Sequence, residues 1–144
     1  KLTYAAFFHD ITLPKSTMAE IQSLEELEKK KHEFSDAEIE AFKKHPEAAS
    51  DLLKHFAEIP QDISSIIHQH HELPDGKGFP RGIGSVHIAP LSCLFIVSED
   101  FVNFILHHGP QDGVENFIKA TKNKFNHGNF RSVIDALAKN EISF

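Results

Sequence analysis

The sequence predicts an all-α protein. Apolar residues recur at helical spacing along most of the 144-residue chain, and no stretch shows a convincing strand-like alternation or an internal repeat. A chain of this length can bury enough apolar surface to fold without disulfides or a structural metal. We therefore expect residues 1–144 to form one compact helical domain.

The first half of the chain carries clear helix signals. Apolar residues at 2–8 place the start of the chain inside or just before a helix. Residues 19–31 carry acidic side chains early and basic ones late, an order that suits the helix dipole. Ser35 and Glu38 match a capping box at the start of the next helix. Pro46 is expected to interrupt that helix and to occupy the first turn of another.

The second half continues the helical pattern around one long loop. Pro60 ends the preceding helix, and the isoleucines at 63–67 predict a helix that leads into a pair of histidines. A glycine-rich stretch at about 72–85 is expected to form a loop. Further helices are predicted at 90–106, which is expected to be strongly buried, and near 111–123 and 129–139.

Composition points toward metal chemistry. The formal charge of -6 argues against binding along a nucleic-acid backbone, since that binding depends on clustered Lys and Arg. A small anionic substrate would need cations from another source, and bound divalent metals could supply them. The chain has 11 His but one Tyr and no Trp. This excess of potential metal ligands is the first indication of function.

Membrane and compartment signals are weak in this sequence. No apolar stretch reaches the roughly 18 residues needed to span a bilayer, and the start of the chain lacks a signal-peptide pattern. The single Cys93 lies in an apolar run where it can be a small buried side chain. We expect no membrane insertion and a cytoplasmic location.

Four pieces of sequence could carry chemistry. An isolated His-Asp or His-Pro pair is uninformative, but here the pieces come in a fixed order: His9-Asp10, His45-Pro46, HHELPDGKGFP at 70–80, and Asp100. His and carboxylate ligands suit iron, manganese or zinc. The ordered set resembles the HD-GYP family, whose pattern is an HD pair, an HP pair, HHExxDGxGYP and an Asp on the following helix.

The resemblance implies a compact helical bundle of the HD-domain type with a central two-metal site. Iron is the metal that it implies first, with manganese as the alternative. His9 and Asp100 would bind one metal, His45, His70 and His71 mainly the other, and Asp10 would bridge both and take part in catalysis. In this family an earlier helix supplies a further ligand, so N-terminal helices or a regulatory domain are expected to be missing before Lys1.

The resemblance also implies a function. The expected activity is hydrolysis of the bacterial second messenger cyclic di-GMP by a metal-bridging hydroxide. Expected partners are cyclic di-GMP or a related nucleotide, and diguanylate cyclases of the GGDEF type or other signalling proteins. The loop at Lys77, Gly78 and Phe79 is expected to contact substrate, although Asp-Gly and Gly-x-Gly pieces also mark simple turns.

Several departures from the family pattern leave alternatives open. Phe79 replaces the tyrosine of the motif, Thr12-Leu13 replaces Gly-Lys, and the Arg expected after Asp100 is missing. Residues at about 16–34 look like an insertion. A signalling module that binds metals without efficient turnover is therefore the main alternative. A hydrolase of another phosphoester and a diiron oxygen carrier are further ones.

Overall fold

A computed structural model describes residues 1–139, apart from the side chain of residue 112. The prediction of an all-α fold is confirmed, because residues 1–139 contain no β-strand and only an isolated bridge between Asp75 and Gly84. The helices in this part of the chain are α1 Leu2–Phe8, α2 Leu24–Lys30, α3 Asp36–Leu53, α4 Gln61–Gln69, α5 Pro90–His108, α6 Gly113–Thr121 and α7 Gly128–Lys139.

Side-chain caps set where α2 and α3 begin. The Ser35 hydroxyl accepts the Glu38 backbone N–H and the Glu38 carboxylate accepts the Ser35 backbone N–H, so the predicted capping box is confirmed. Ser23 caps α2 in the same way by accepting the backbone N–H of Glu26 at 3.2 Å. The helix predicted at 19–31 is therefore shorter than expected, and residues Ser16–Glu20 form a separate 3-10 turn.

Pro46 does not interrupt the chain where the sequence predicted. Helix α3 runs without a break from Asp36 to Leu53, with Pro46 inside it. A proline within a helix normally leaves the carbonyl four residues earlier without its donor. Here that carbonyl belongs to Phe42, and it accepts a hydrogen bond from Nδ1 of His45 at 2.6 Å. The lost backbone hydrogen bond is thus replaced by one from a side chain.

Three apolar clusters hold the helices together. The first packs α5 against α6 and α7, and the second packs α1, α3 and α4 against Phe95 of α5. The third lies where the segment before α3 meets Phe42 and Phe79. The histidines of α3 and α4 lie where the second and third clusters meet, so the apolar core fixes their positions.

Helix α5 extends to His108, beyond the predicted end at 106, and the prediction that it is strongly buried is wrong. Of its 19 residues, those that are buried are Ser92, Cys93, Phe95, Ile96 and Val97. By length and composition it could cross a membrane, so the expectation that no stretch is long enough is wrong. This is weak evidence for a membrane span, because the core helix of a soluble protein passes the same test. In this fold α5 packs against α4, α6 and α7, and it carries Glu99 and Asp100.

The Ser35 cap provides a test of the fold. Replacing Ser35 with Ala should lower the free energy of unfolding by about 1 kcal/mol, because the first turn of α3 loses its side-chain acceptor. Urea unfolding followed by circular dichroism measures this change. Ser65→Ala, on the exposed side of α4, should shift stability by less than about 0.5 kcal/mol. Equal effects of the two substitutions would contradict the role of the cap.

Candidate metal centre

Two buried imidazole rings face each other at the centre of the site. The Nδ1 atoms of His45 and His70 each contact a backbone carbonyl at 2.6 Å, those of Phe42 and Ile67. Since a carbonyl can only accept, each Nδ1 carries the proton, and Nε2 of a neutral ring carries a lone pair. The two Nε2 atoms are 3.1 Å apart. Two lone pairs at this distance repel each other unless a cation or a proton lies between them.

Asp10 completes this centre with a negative charge. Its Oδ1 lies 3.4 Å from Nε2 of His45 and 3.7 Å from Nε2 of His70, while its Oδ2 lies 3.3 Å from Nε2 of His9. Burial opposes ionisation of the Asp10 carboxyl, but the contacts with His45 and His70 outweigh burial and hold its pKa well below the usual range. Asp10 is therefore a carboxylate whose one oxygen faces His45 and His70 and whose other oxygen faces His9.

His71 is the fourth member of the cluster. Its pKa is lowered well below the usual value by burial and by the neighbouring His70 and His45, and burial also lowers the pKa of His45. Neutral imidazole is the form that binds metals. Asp10, His45, His70 and His71 each offer a ligand atom, and these atoms lie within 4.8 Å of one another. Because burial disfavours the protonated rings, a metal ion fits this donor set better than a proton does.

His9 lies beside this cluster, at the end of α1. Its Nδ1 contacts the carbonyl of Ala6 at 3.0 Å, and its Nε2 lies 3.0 Å from Oε1 of Glu99. Burial opposes protonation of His9, but Glu99 and then Asp10 outweigh it and raise the pKa of His9 to about 9. Two carboxylates thus face the same imidazole nitrogen, an arrangement that favours a positive charge at this point.

Asp100 is not placed in the centre, although the sequence predicted it as a ligand. Both of its oxygens accept hydrogen bonds from Nζ of Lys124, at 2.9 and 2.8 Å. Adjacent residues of a helix point about 100° apart, so only one of the pair Glu99 and Asp100 can face His9. In this structure it is Glu99. Sequence reasoning missed it because the motif does not define how α5 is rotated about its axis.

The family model for the HD domain matches residues 1–120, which is most of the chain. This chain belongs to the HD-domain family. HD domains are typically metal-dependent hydrolases, and the His and Asp cluster of this one could hold metal. No curated protein and no solved structure was found to match the chain. The narrower HD-GYP assignment stays a prediction.

Glu72 organises the glycine-rich loop of this HD domain. Its side chain is fully buried, and its two oxygens accept the backbone N–H groups of Arg81 and Ile83 at 2.8 and 2.9 Å. Gly78 packs so closely that an added Cβ would lie 2.4 Å from the carbonyl oxygen of His71. The loop is therefore folded back against the backbone that follows α4, and this close approach requires glycine at position 78.

The loop residues predicted to contact substrate have other positions in the structure. Phe79 is buried and stacks on His71, with ring centroids 4.5 Å apart and planes 14° apart. Lys77 lies at the surface, where its side chain is 82% exposed and its Nζ is 3.6 Å from Asp75. Phe79 and Gly78 thus support the metal centre by packing, and Lys77 points its charge at solvent and at its own loop.

Two neighbouring cavities lie along α5 of the HD domain, and the first of them adjoins the metal centre. The first, of about 420 Å³, opens beside His9 and Asp10 between α1 and α5. The second, of about 500 Å³, is lined in part by Lys124. Gln22 and Asn103 line both cavities, so the two spaces meet at these amide side chains. A ligand can therefore reach Asp10 from one side and extend along α5.

Gly78 gives a test of how the loop supports the centre. Gly78→Ala should lower the free energy of unfolding by about 3 kcal/mol and weaken metal binding, because the methyl group would overlap the backbone next to His71. Urea unfolding and titration with Mn²⁺ measure both effects. Gly84→Ala is the matched control, since its Cβ would lie 3.6 Å from the nearest atom, an ordinary contact. Native behaviour of Gly78→Ala would disprove the close approach.

Proposed function

We propose that this HD domain is a metal-dependent phosphodiesterase that hydrolyses cyclic di-GMP. The observation that carries the proposal is the position of Asp10, which directs one carboxylate oxygen toward His45 and His70 and the other toward His9. A carboxylate shared in this way suits a ligand that bridges two metal ions. Family membership supports the hydrolase class, and HHELPDGKGFP at 70–80 supports the HD-GYP assignment and with it the substrate.

Two groups of side chains would hold the metals. The first consists of His45, His70 and His71 with Oδ1 of Asp10, and the second consists of His9 and Glu99 with Oδ2 of Asp10. In the second group Glu99 takes the place that the sequence gave to Asp100. Nitrogen and carboxylate donors of this kind suit iron, manganese and zinc alike. The resemblance to the HD-GYP family favours iron first and manganese second.

The residues of the centre have defined roles in this reaction. Bound divalent ions would supply Lewis acidity toward water and the phosphate oxygens. Asp10 stays ionised, so it can orient the attacking water and accept its hydrogen bond. The rings of His45 and His70 are held at Nδ1 by backbone carbonyls, which keeps each Nε2 free to act as a donor to metal.

The cavities support a substrate larger than a simple phosphate ester. A phosphodiester placed beside His9 and Asp10 would occupy the first cavity, and the rest of a dinucleotide could extend past Gln22 and Asn103 into the second. The two amide side chains offer both donors and acceptors, which nucleobase edges require. The far cavity adds no net positive charge for an anionic ligand, because Lys124 is paired with Asp100 and the cavity is also lined by Glu20 and Glu26.

One observation favours a signalling module with weakened turnover as the second candidate. Among the described residues, those that line the cavity beside His9 and Asp10 include no Lys or Arg. Phe79 has no hydroxyl, and Leu13, which replaces the family's lysine, packs on the third apolar cluster. Such a module would bind nucleotide and contact a GGDEF-type cyclase or another signalling protein without efficient hydrolysis.

Hydrolysis of cyclic di-GMP tests the proposal directly. Anaerobically purified protein loaded with iron or manganese should release a linear product that chromatography detects. Asp10→Ala should lower the rate by about 1000-fold or more, because the shared carboxylate is lost. Asp135→Ala, an exposed site on α7, should keep the native rate. Fully metallated native protein that binds cyclic di-GMP but forms no product would favour the signalling module instead.

Glu99 and Asp100 are adjacent carboxylates of α5, so replacing each in turn gives a matched test of metal binding. Glu99→Ala should weaken binding of one metal by at least the about 10- to 100-fold that losing a partner of a ligand costs, because the second group loses one of its own ligands. Asp100→Ala should leave metal binding unchanged, because its carboxylate contacts Lys124 instead. Metal analysis after dialysis and titration with Mn²⁺ measure both variants. A larger loss in Asp100→Ala than in Glu99→Ala would return the role to Asp100.

A further inference from the structure

Pro46 leaves one carbonyl of α3 without its normal partner. In an α-helix the carbonyl of residue i accepts the N–H of residue i+4, so the donor for Phe42 would come from position 46. Proline has no backbone N–H. The Phe42 carbonyl instead accepts Nδ1 of His45 at 2.6 Å. The His-Pro pair therefore acts as a unit, in which the second residue withholds the donor that would compete with the first.

His9 and His70 also contact backbone carbonyls through Nδ1, but at the ends of their helices. His9 uses the carbonyl of Ala6, and His70 uses that of Ile67, each three residues earlier in the chain. Both carbonyls lie in the last turn of a helix, where the regular donor four residues later is missing, although the Ile67 carbonyl also accepts the backbone N–H of His70 at 3.5 Å. His45 differs because it lies in the middle of an 18-residue helix. A carbonyl has two lone pairs, so Nδ1 of His107 can contact the Asn103 carbonyl within α5 at 2.7 Å without a proline. At His45, Pro46 removes the backbone donor, so the Phe42 carbonyl serves Nδ1 alone.

We propose that Pro46 is a positioning residue for the metal centre. It reserves the Phe42 carbonyl for Nδ1 of His45, which fixes the tautomer and the angle of the ring and keeps Nε2 free for metal. This inference rests on metal binding by the centre, which is part of the proposed function, but not on cyclic di-GMP as the substrate.

A purely structural role for Pro46 predicts a different result. Pro46 is buried, so a packing role alone would make stability and metal affinity fall together when it is replaced. Under the positioning role the two change in opposite directions. A residue with an N–H restores a helical hydrogen bond and so favours the helix, but it competes with His45 for the Phe42 carbonyl and weakens metal binding.

Pro46→Ala in the full chain is the first test. Its midpoint of thermal unfolding without metal should stay equal to the native value or rise by about 5 °C. Its affinity for Mn²⁺, measured by calorimetric titration, should fall by about 10- to 100-fold, the usual effect of losing a partner that orients a ligand. Nitrogen-15 NMR of the histidine side chains should show His45 losing its uniform Nδ1-protonated form.

Two further variants separate packing from positioning. Pro46→Val also supplies an N–H but fills nearly the same volume, so it should weaken Mn²⁺ binding as Pro46→Ala does. Glu47→Ala changes the exposed neighbour in α3 and should bind Mn²⁺ like the native protein. Unchanged Mn²⁺ affinity in both Pro46 variants would overturn the proposal. So would a loss of affinity that only accompanies a loss of metal-free stability.

The result can be distinguished from failure of the proposed function. Native protein that binds Mn²⁺ but does not hydrolyse cyclic di-GMP would end the phosphodiesterase proposal, while the comparison of the Pro46 variants would still decide this one. Native protein that binds no Mn²⁺ would overturn both, and the metal titration would show it before any substrate is added.

Discussion

The site depends on one contact, the approach of two imidazole nitrogens in a buried position. Nε2 of His45 and Nε2 of His70 lie 3.1 Å apart with the Asp10 carboxylate beside them. The two rings are buried and the carboxylate is partly buried, so this meeting of three electron-rich groups is costly unless a positive centre joins them. Helices α3 and α4 pack directly on each other and bring the two rings together. The apolar core therefore holds an arrangement that a metal ion would stabilise.

The surroundings of the rings keep this arrangement rigid. Phe79 stacks on His71, and Phe42 lies 5.2 Å from the ring of His45, so apolar contacts set the angles of the imidazoles. Glu72 is buried, and its two oxygens accept backbone N–H groups of the glycine-rich loop. Phe79 thus lies in a packed position, where its aromatic ring supports the centre.

Local sequence signals predicted much of the fold. The capping box at Ser35, the helices at the C-terminal end and the loop after α4 follow from short-range chemistry, and the structure agrees with them. Pro46 was wrongly expected to break α3. The free energy that a proline costs within a helix depends on whether the carbonyl four residues earlier finds another donor, and here Nδ1 of His45 is that donor. Helix α2 is shorter than predicted because Ser23 caps it, so the helix begins at Leu24 although the favourable charge pattern begins at residue 19.

The sequence by itself indicated the four residues that the structure brings together as a possible metal site, because the His-Asp pair, the His-Pro pair and the third motif occur in a fixed order. These residues are Asp10, His45, His70 and His71. Only the tertiary structure decided which carboxylate of α5 faces His9. Glu99 and Asp100 have the same chemistry and are neighbours in the chain, so their roles depend on the rotation of α5 about its axis. Packing of α5 against α4, α6 and α7 sets that rotation, and it sends Asp100 to Lys124.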